Sequence, residues 1–284
     1  MIRHKSFTPT PLHTLYFIAT PIGNLQELSQ RAIDTMTLVD KIACEDTRVT
    51  SKLLHHLNLQ KPLIPCHEHN ESIASASIIA AILNGEKIAY VSDAGYPGIS
   101  DPGQRLIQQA LKADIHVVMI SGPSAILNAL IGSGLSTERF YFHGFLLPKE
   151  GPRLDELKDL YPRKETLVFY ESPHRIEATL KNMLETLGNR QAVIARELTK
   201  LHEEYIRGPL QELSEIDPAS LKGEMVIVVE GNKDEMSIKL SDDEIRKLVQ
   251  NLTETGISMK DAIRQVSEMT TLNKNYIYKL MHRN

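Results

Sequence analysis

Cysteine is nearly missing from this chain: Cys44 and Cys66 are the only two in 284 residues. They lie in apolar surroundings without paired spacing, so counting alone excludes a disulfide framework and a four-cysteine zinc site. That usage fits a reducing cytosol, and a cytoplasmic location is expected. Long hydrophobic runs are missing too. No stretch approaches the roughly 18–20 apolar residues of a bilayer-spanning helix, and the opening MIRHKSFTPTPLHT has no apolar signal-peptide core, so neither membrane insertion nor export is expected. Charge of one sign is not in excess either, since 32 Lys and Arg against 36 Asp and Glu leave a formal net charge of −4. Coating nucleic acid non-specifically rests on many cationic contacts to phosphate; this balance argues against it and leaves room for a local basic face.

Familiar catalytic motifs are absent as well. There is no G-x-x-x-x-G-K-[ST] loop, no H-E-x-x-H helix and no G-x-S-x-G elbow, which removes the usual nucleotide, zincin and hydrolase readings. No G-x-G-x-x-G follows the first strand, so a Rossmann dinucleotide site is unsupported. Any cofactor is held another way.

What remains is an ordinary globular balance, 42% hydrophobic and 24% charged, in a chain long enough for two compact units and a small appendage. Apolar runs rich in β-branched and aromatic residues recur: LYFIAT (Leu15 to Thr20), KIACE (Lys41 to Glu45), PLIPC (Pro62 to Cys66), KIAYVS (Lys87 to Ser92) and HVVMIS (His116 to Ser121). Amphipathic stretches separate them, including SKLLHHLNL from Ser51 and ESIASASIIAAILNG from Glu71, the latter with Asn70 as its expected N-cap and Gly85 as its stop. The alternation predicts an α/β fold with a mostly parallel sheet. FYFHGF (Phe140 to Phe145), TLVFYES (Thr166 to Ser172), AVIARE (Ala192 to Glu197) and EMVIVVE (Glu224 to Glu230) predict a second α/β lobe. The expected division is a tail at 1–12, lobes at 13–121 and 122–231, a polar linker at 232–241 and a helical domain at 242–284.

Three turns at strand ends stand out. The longest, SDAGYPGISDPG (Ser92 to Gly103), packs three Gly, two Pro and two Asp into twelve residues. Gly allows close backbone approach, Pro freezes the turn, and Asp offers a carboxylate at the end of a strand, where open α/β sheets bind ligands. The plainer reading is an ordinary turn with Asp101 capping the helix near Gln104. ATPIGN (Ala19 to Asn24) and SGPSA (Ser121 to Ala125) share the trait, which favours a ligand site over three coincidental turns.

Those turns, with EDTR (Glu45 to Arg48), HEHNE (His67 to Glu71), YESPHR (Tyr170 to Arg175) and RELTK (Arg196 to Lys200), resemble the ribosomal RNA small subunit methyltransferase I family, within the tetrapyrrole methylases. The resemblance covers Leu15 to about Gly231 and extends into the tail. It implies a two-lobed tetrapyrrole-methylase fold with S-adenosylmethionine in the cleft between lobes, plus a small C-terminal helix-turn-helix-like domain. The implied activity is 2′-O-methylation of a cytidine ribose in 16S ribosomal RNA, near the decoding centre of the small subunit, by a homodimer. The superfamily's G-D-P cofactor turn aligns with Gly95, Tyr96 and Pro97, so its central carboxylate is missing here, and Asp93 is the candidate to replace it. The cofactor set carried over is Pro21, Asp93, Ala94, Gly95, Ile99, Ser100, Ser121, Ser124 and Ala125, with Tyr170, Leu198 and Glu224 from the second lobe.

Methyl transfer from a sulfonium is an in-line displacement that needs alignment and no obligatory metal. A ribose hydroxyl is a poor nucleophile, so a base or a cation near its oxygen would help; Asp93, Glu171, Lys200 and Glu203 are the catalytic candidates. For substrate the candidates are Glu45, Asp46, Arg48, His67, His69, Asn70 and Arg175. Each has a plainer alternative: Asp46 as a helix cap with Arg48 exposed beside it, Ser172 or Pro173 as a simple helix start, RELTKLHEE as a charged loop. His67 and His69 alternate in an expected extended segment, yet two nitrogens without a clear third ligand do not make a metal site, and none is expected.

The tail reads as three short amphipathic helices, EIRKLVQNLTETG, SMKDAIRQVSEMT and LNKNYIYKLMHR, with Gly256 and Thr271 at the junctions. Lys274, Lys279 and Arg283, interleaved with Tyr276 and Tyr278, suit RNA contact; a small packing or dimerising bundle is the alternative. For the whole chain the competing readings are methylation of a small tetrapyrrole, since the scaffold is shared, and a non-catalytic RNA-binding protein that retains a cofactor pocket.

Overall fold

The computed structural model describes residues 13–233, 241–270 and 272–282. The chain divides into two compact units, Met1–Gly231 and Asn232–Asn284. The first holds two five-stranded sheets.

The first sheet alternates strands and helices: β1 (Thr14–Ile18), α1 (Gln30–Leu38), β2 (Lys41–Cys44), α2 (Thr47–His56), β3 (Leu63–Pro65), α3 (Glu71–Leu83), β4 (Ile88–Val91), α4 (Gln104–Lys112) and β5 (His116–Ile120). Its order is β3-β2-β4-β1-β5 and every pairing is parallel. Helices cover both faces, so strands are apolar throughout: all four residues of β4 are buried. The pleat sorts them. Leu15, Phe17, Ile88 and Tyr90 enter one core cluster, Ile18, Ala89 and Val91 the other. Burying each of the larger ones contributes about 1.5–3 kcal/mol. Cys44 and Cys66 are buried at this sheet's margin, with Cys66 N donating to the Cys44 carbonyl at 2.8 Å.

The second sheet is mixed. It follows α5 (Ala125–Ser133) and comprises β6 (Phe140–Phe145), α6 (Glu150–Leu160), β7 (Thr166–Glu171), α7 (Ile176–Leu187), β8 (Gln191–Arg196), β9 (Glu204–Pro209), α8 (Leu210–Ser214) and β10 (Met225–Val229). Its order is β6-β7-β10-β8-β9, with β6 parallel to β7 and the remaining pairs antiparallel. Because β10 runs against β7 and β8, its N-terminal end meets their C-terminal ends. β9 is absent from the sequence expectation. Its residues EYIRGP are only partly buried and end in proline, as suits an edge strand, and they carry too little hydrophobic signal to separate from the charged loop before them.

Several local expectations are corrected. Asn70 does not cap α3 with its side chain; Oδ1 accepts from His67 N at 2.8 Å and Nδ2 donates to the Pro65 carbonyl, closing a turn that includes His67. His67 and His69 therefore lie in that turn, not on one side of an extended segment, with ring centroids 6.0 Å apart. Asp101 does not cap α4. Glu71, reaching from α3, accepts from Gly103 N at 2.9 Å and Arg105 N at 3.1 Å. Neither Ser172 nor Pro173 starts α7, which begins at Ile176 after a backbone turn on the Ser172 carbonyl. The helix placed from Ser51 starts four residues earlier, capped by Asp46.

The second unit contains α9 (Asp242–Glu254), α10 (Met259–Thr270) and α11 (Lys274–Met281) around a core that includes Ile245, Val249, Ile263, Val266, Ile277 and Leu280. Ser241 and Glu244 form a reciprocal capping box at α9. Arg283, Thr271 and most of the expected 232–241 linker lie outside the described residues, as does the expected 1–12 tail.

Candidate active site

The parallel first sheet sends the turns after β1, β4 and β5 to one edge, and the chain stitches them there. Thr20 and Gly95 exchange two backbone hydrogen bonds, 2.9 and 3.0 Å, and Thr20 Oγ1 donates to the Ser92 carbonyl at 3.2 Å. Gly95 has φ +71°, a conformation that costs other residues energy. The turn after β5 presses on the turn after β1, since a Cβ on Gly122 would lie 2.9 Å from Ala19 Cβ. Gly122 N also donates to the Tyr96 hydroxyl at 3.2 Å.

Both lobes meet at this edge. Ile22, from the first turn, packs with Ala125, Ile126 and Tyr170 against a cluster containing Leu198, Val168 and Val226 of the second lobe. Gly144, at the bulge in β6, would place a Cβ 3.5 Å from Ser100 Oγ. A Cβ on Gly23 would overlap the Lys200 side chain. Thus Ile99 and Ser100 are exposed on the long turn, and Pro21, Asp93, Ser124, Ala125 and Tyr170 are half-buried near the junction, while Ala94 and Ser121 are exposed. Ser124 caps α5, accepting from Leu127 N at 3.4 Å.

Carboxylates give the site its field. Asp101 is pushed up to about 6, first by burial and then by Glu45, while the Ser92 hydroxyl pulls it back. Burial and Asp93 raise Glu45. Burial also raises Asp93, although Asp46 N donates to its Oδ1 at 3.1 Å. Tyr170 is pushed up to about 12 by burial and then by Asp101 and Glu224. Glu45 and Asp93 thus act on Asp101, and Asp101 on Tyr170, across the strand ends. The sequence offers Asp101 both as one of two carboxylates on the long turn and, more plainly, as a cap for α4; since Glu71 takes the start of α4, the capping reading falls away.

Other candidates are committed elsewhere. The Glu171 side chain is fully buried and does not face the site: it accepts from Ser172 N at 2.8 Å and Thr179 Oγ1 at 2.5 Å and pairs with Arg175 at 3.3 Å. Strand alternation explains this, since Tyr170 takes the other face. Arg175 Nη2 also donates to the Leu146 carbonyl. Lys200 bonds Glu197 and Glu224, each at 2.9 Å; burial works against its ammonium, but those bonds outweigh it and raise its pKa. Glu224 is correspondingly exposed and paired. Glu203 accepts from Thr199 N at 2.6 Å, bracing a turn in which Glu197 and Thr199 hold positive φ. Asp46 is held down to about 2 by Arg48, its salt-bridge partner. His67 contributes a buried Nδ1 without a partner, and the Nδ1 faces no three-ligand set among the described residues. Lys274 and Lys279 lie in the second unit.

These surroundings suit S-adenosylmethionine: half-buried apolar side chains where the lobes meet would take its adenine, and the carboxylates nearby would suit its positive charges. Residues 14–214 match the tetrapyrrole (corrin/porphyrin) methylases. The ribosomal RNA small subunit methyltransferase I of Halalkalibacterium halodurans is 44% identical over 277 residues, covering 95% of this chain and 94% of that protein. The chain belongs to the ribosomal RNA small subunit methyltransferase I family of tetrapyrrole methylases. It is a methyltransferase by that membership. The same-named protein of Bacillus subtilis is 39% identical and covers 99% of this chain and 98% of its own length. The fold is shared with the crystal structure of uroporphyrin-III-C-methyltransferase from Thermus thermophilus, at TM-score 0.54 and 18% identity, covering 77% of this chain and 94% of that one.

Proposed function

We propose that this chain methylates the 2′-hydroxyl of a cytidine in 16S ribosomal RNA of the small subunit, using S-adenosylmethionine. The carrying observation is that the turns after β1, β4 and β5, joined through Thr20, Gly95 and Gly122, meet Tyr170 and Leu198 of the second lobe, with half-buried Asp101 on the longest turn, its pKa pushed up to about 6 by burial and then by Glu45. Gly95, Ile99, Ala125, Tyr170 and Leu198 would hold the cofactor, which supplies an electrophilic methyl group when bound. Asp101 accepts the hydroxyl proton as the ribose oxygen becomes nucleophilic; a base matched to the working pH does this best. Burial keeps the Asp101 pKa high, and the charges of Glu45 and then Asp93 add to it. The buried cluster around Leu198 excludes water from the reacting centre. Lys200, with both neighbouring carboxylates, holds the second lobe's turn against Gly23 and takes no proton.

The names of the relatives support an RNA substrate, and the absence of the G-D-P carboxylate at Tyr96 supports a branch distinct from the porphyrin methylases. The deciding experiment supplies radiolabelled S-adenosylmethionine to small subunits from cells lacking the gene, followed by mapping of ribose methylation. Label on one cytidine ribose is expected. Label on a tetrapyrrole and none on RNA would overturn the reading. Sedimentation of the purified protein tests the homodimer that accompanies it.

A further inference from the structure

A groove of about 420 Å³ lies between α10 and α11; Lys260, Arg264, Lys274 and Tyr278 line it together with Asp261 and Asn275. We propose that this groove seats one unpaired nucleotide of an RNA strand, its base on Tyr278 and its flanking phosphates on Lys260 and Lys274. The inference rests on the RNA-substrate reading above and specifies where a second contact is made.

Charge sorting supports an anionic occupant. Residues 255–284 carry Lys260, Arg264, Lys274, Lys279 and Arg283 against two acids, Asp261 and Glu268, whereas α9 opens with Asp242, Asp243 and Glu244. The groove's single acid is already spent: Asp261 accepts from Ser258 Oγ at 2.6 Å and pairs with Arg264 at 3.1 Å. Lys260, whose charge acts on neighbouring Asp261, and Lys274 form no ion pair among the described residues, and both are exposed to an incoming phosphate. The two tyrosines are also sorted. Tyr276 donates to Asp242 Oδ1 at 2.6 Å and belongs to the bundle's own bonding. Tyr278 is 57% exposed, and the His282 ring braces it edge-on at 4.3 Å. An exposed aromatic face between cations offers stacking to any base, and the volume suits a single nucleotide. An acidic peptide would satisfy the lysines and leave the ring unused.

The test uses the full chain and a fluorescein-labelled single-stranded oligoribonucleotide, read by anisotropy over a range of salt. Tyr278→Ala is expected to weaken binding roughly tenfold without changing the salt dependence, as loss of one stacked base should. Tyr278→Phe should bind like the parent. Lys260→Gln with Lys274→Gln should make the salt slope shallower by about 1.4, at roughly 0.7 per phosphate contact on a single strand. In methyl transfer, Tyr278→Ala should raise KM for the RNA substrate and leave kcat and cofactor affinity unchanged. A parent that binds RNA while Tyr278→Ala binds equally well overturns the groove and spares the RNA-substrate reading. Competition by polyglutamate as effective as by RNA would also overturn it, showing a general polyanion surface. A parent that binds cofactor but no RNA overturns both. Unchanged melting temperatures of the variants separate these outcomes from misfolding.

Discussion

The two sheets of the first unit solve the same problem in opposite ways. In the all-parallel sheet every C-terminal strand end falls on one edge, so turns far apart in sequence, at Pro21, Asp93 and Ser121, are brought together by topology alone. The mixed sheet delivers alternate ends, and it reaches the same edge with the C-termini of β7 and β8 and the N-terminus of β10. The parallel lobe accordingly presents the carboxylates whose protonation is tuned, Glu45, Asp93 and Asp101, whereas the mixed lobe presents a wall: Tyr170, Leu198 and the locked triad of Lys200, Glu197 and Glu224. On the function proposed above, proton chemistry falls to the first lobe and shape to the second.

The strongest challenge to this division is Asp101→Asn. Turnover should fall roughly 10²- to 10⁴-fold, the usual worth of a general base, with cofactor affinity retained in calorimetry. The parent's rate should climb with pH through about 6, because the ionised carboxylate is the active form; the variant's residual rate should lack that limb. Stability should move the other way. A carboxyl whose pKa is raised by folding binds its proton more tightly in the native state, so its ionisation lowers stability as pH rises from about 4 to about 6,. At pH 7 the asparagine protein should therefore melt slightly higher than the parent. A variant with full turnover would move the proton chemistry elsewhere.

Glu171→Ala should show the opposite profile. Removing a fully buried carboxylate leaves Arg175 and Thr179 without their partner, and urea unfolding should record a loss of about 3–5 kcal/mol. Cofactor affinity of the folded fraction should hold; its collapse would place Glu171 in the site after all. Gly95→Arg comes next, weakening cofactor binding about ten- to hundredfold through positive-φ strain and the approach of Ile22 at 3.3 Å. Calorimetry with unchanged affinity would show the cofactor lies away from this turn.

Much of this architecture is legible in the sequence. Strands buried on both faces announce themselves as apolar runs, and the parallel sheet's helices separate them clearly, so β1 to β5 and their exit turns read directly. Edge strand β9 did not read, because a half-exposed strand beside charged residues carries little pattern. Site residues split along a similar line. Tyr170 is placed by strand alternation once β7 is known, and the same alternation turns Glu171 away, yet the reach of Glu71 from α3 to the start of α4 depends on tertiary packing alone. That long-range cap is what frees Asp101 from the local role its position beside a helix suggested.

Two smaller effects sharpen the comparison further. Glu224→Gln removes one half of a solvent-facing pair with Lys200, and denaturation should register less than about 1 kcal/mol; a larger loss would show that the second lobe's triad bears strain as well as shape. Thorough chelation should leave methyl transfer unchanged, since displacement at a sulfonium needs no Lewis acid. Loss with EDTA, restored by one divalent ion on an RNA whose folding is unaffected, would return attention to His67 and its neighbours.

The two thiols at the margin of the parallel sheet give the molecule a built-in clock. Burial pushes Cys66 up to about 12 and raises Cys44 as well, so neither is a nucleophile while the sheet is closed. Cys66 follows the three-residue edge strand β3 and is tied to Cys44 by one backbone bond. A thiol-specific reagent therefore modifies the native protein only when that edge opens, and the rate of its uptake counts those openings. By the same token, a cysteine introduced on the surface will be the one fast-reacting thiol in the chain, ready to carry a spectroscopic label without first removing the native pair.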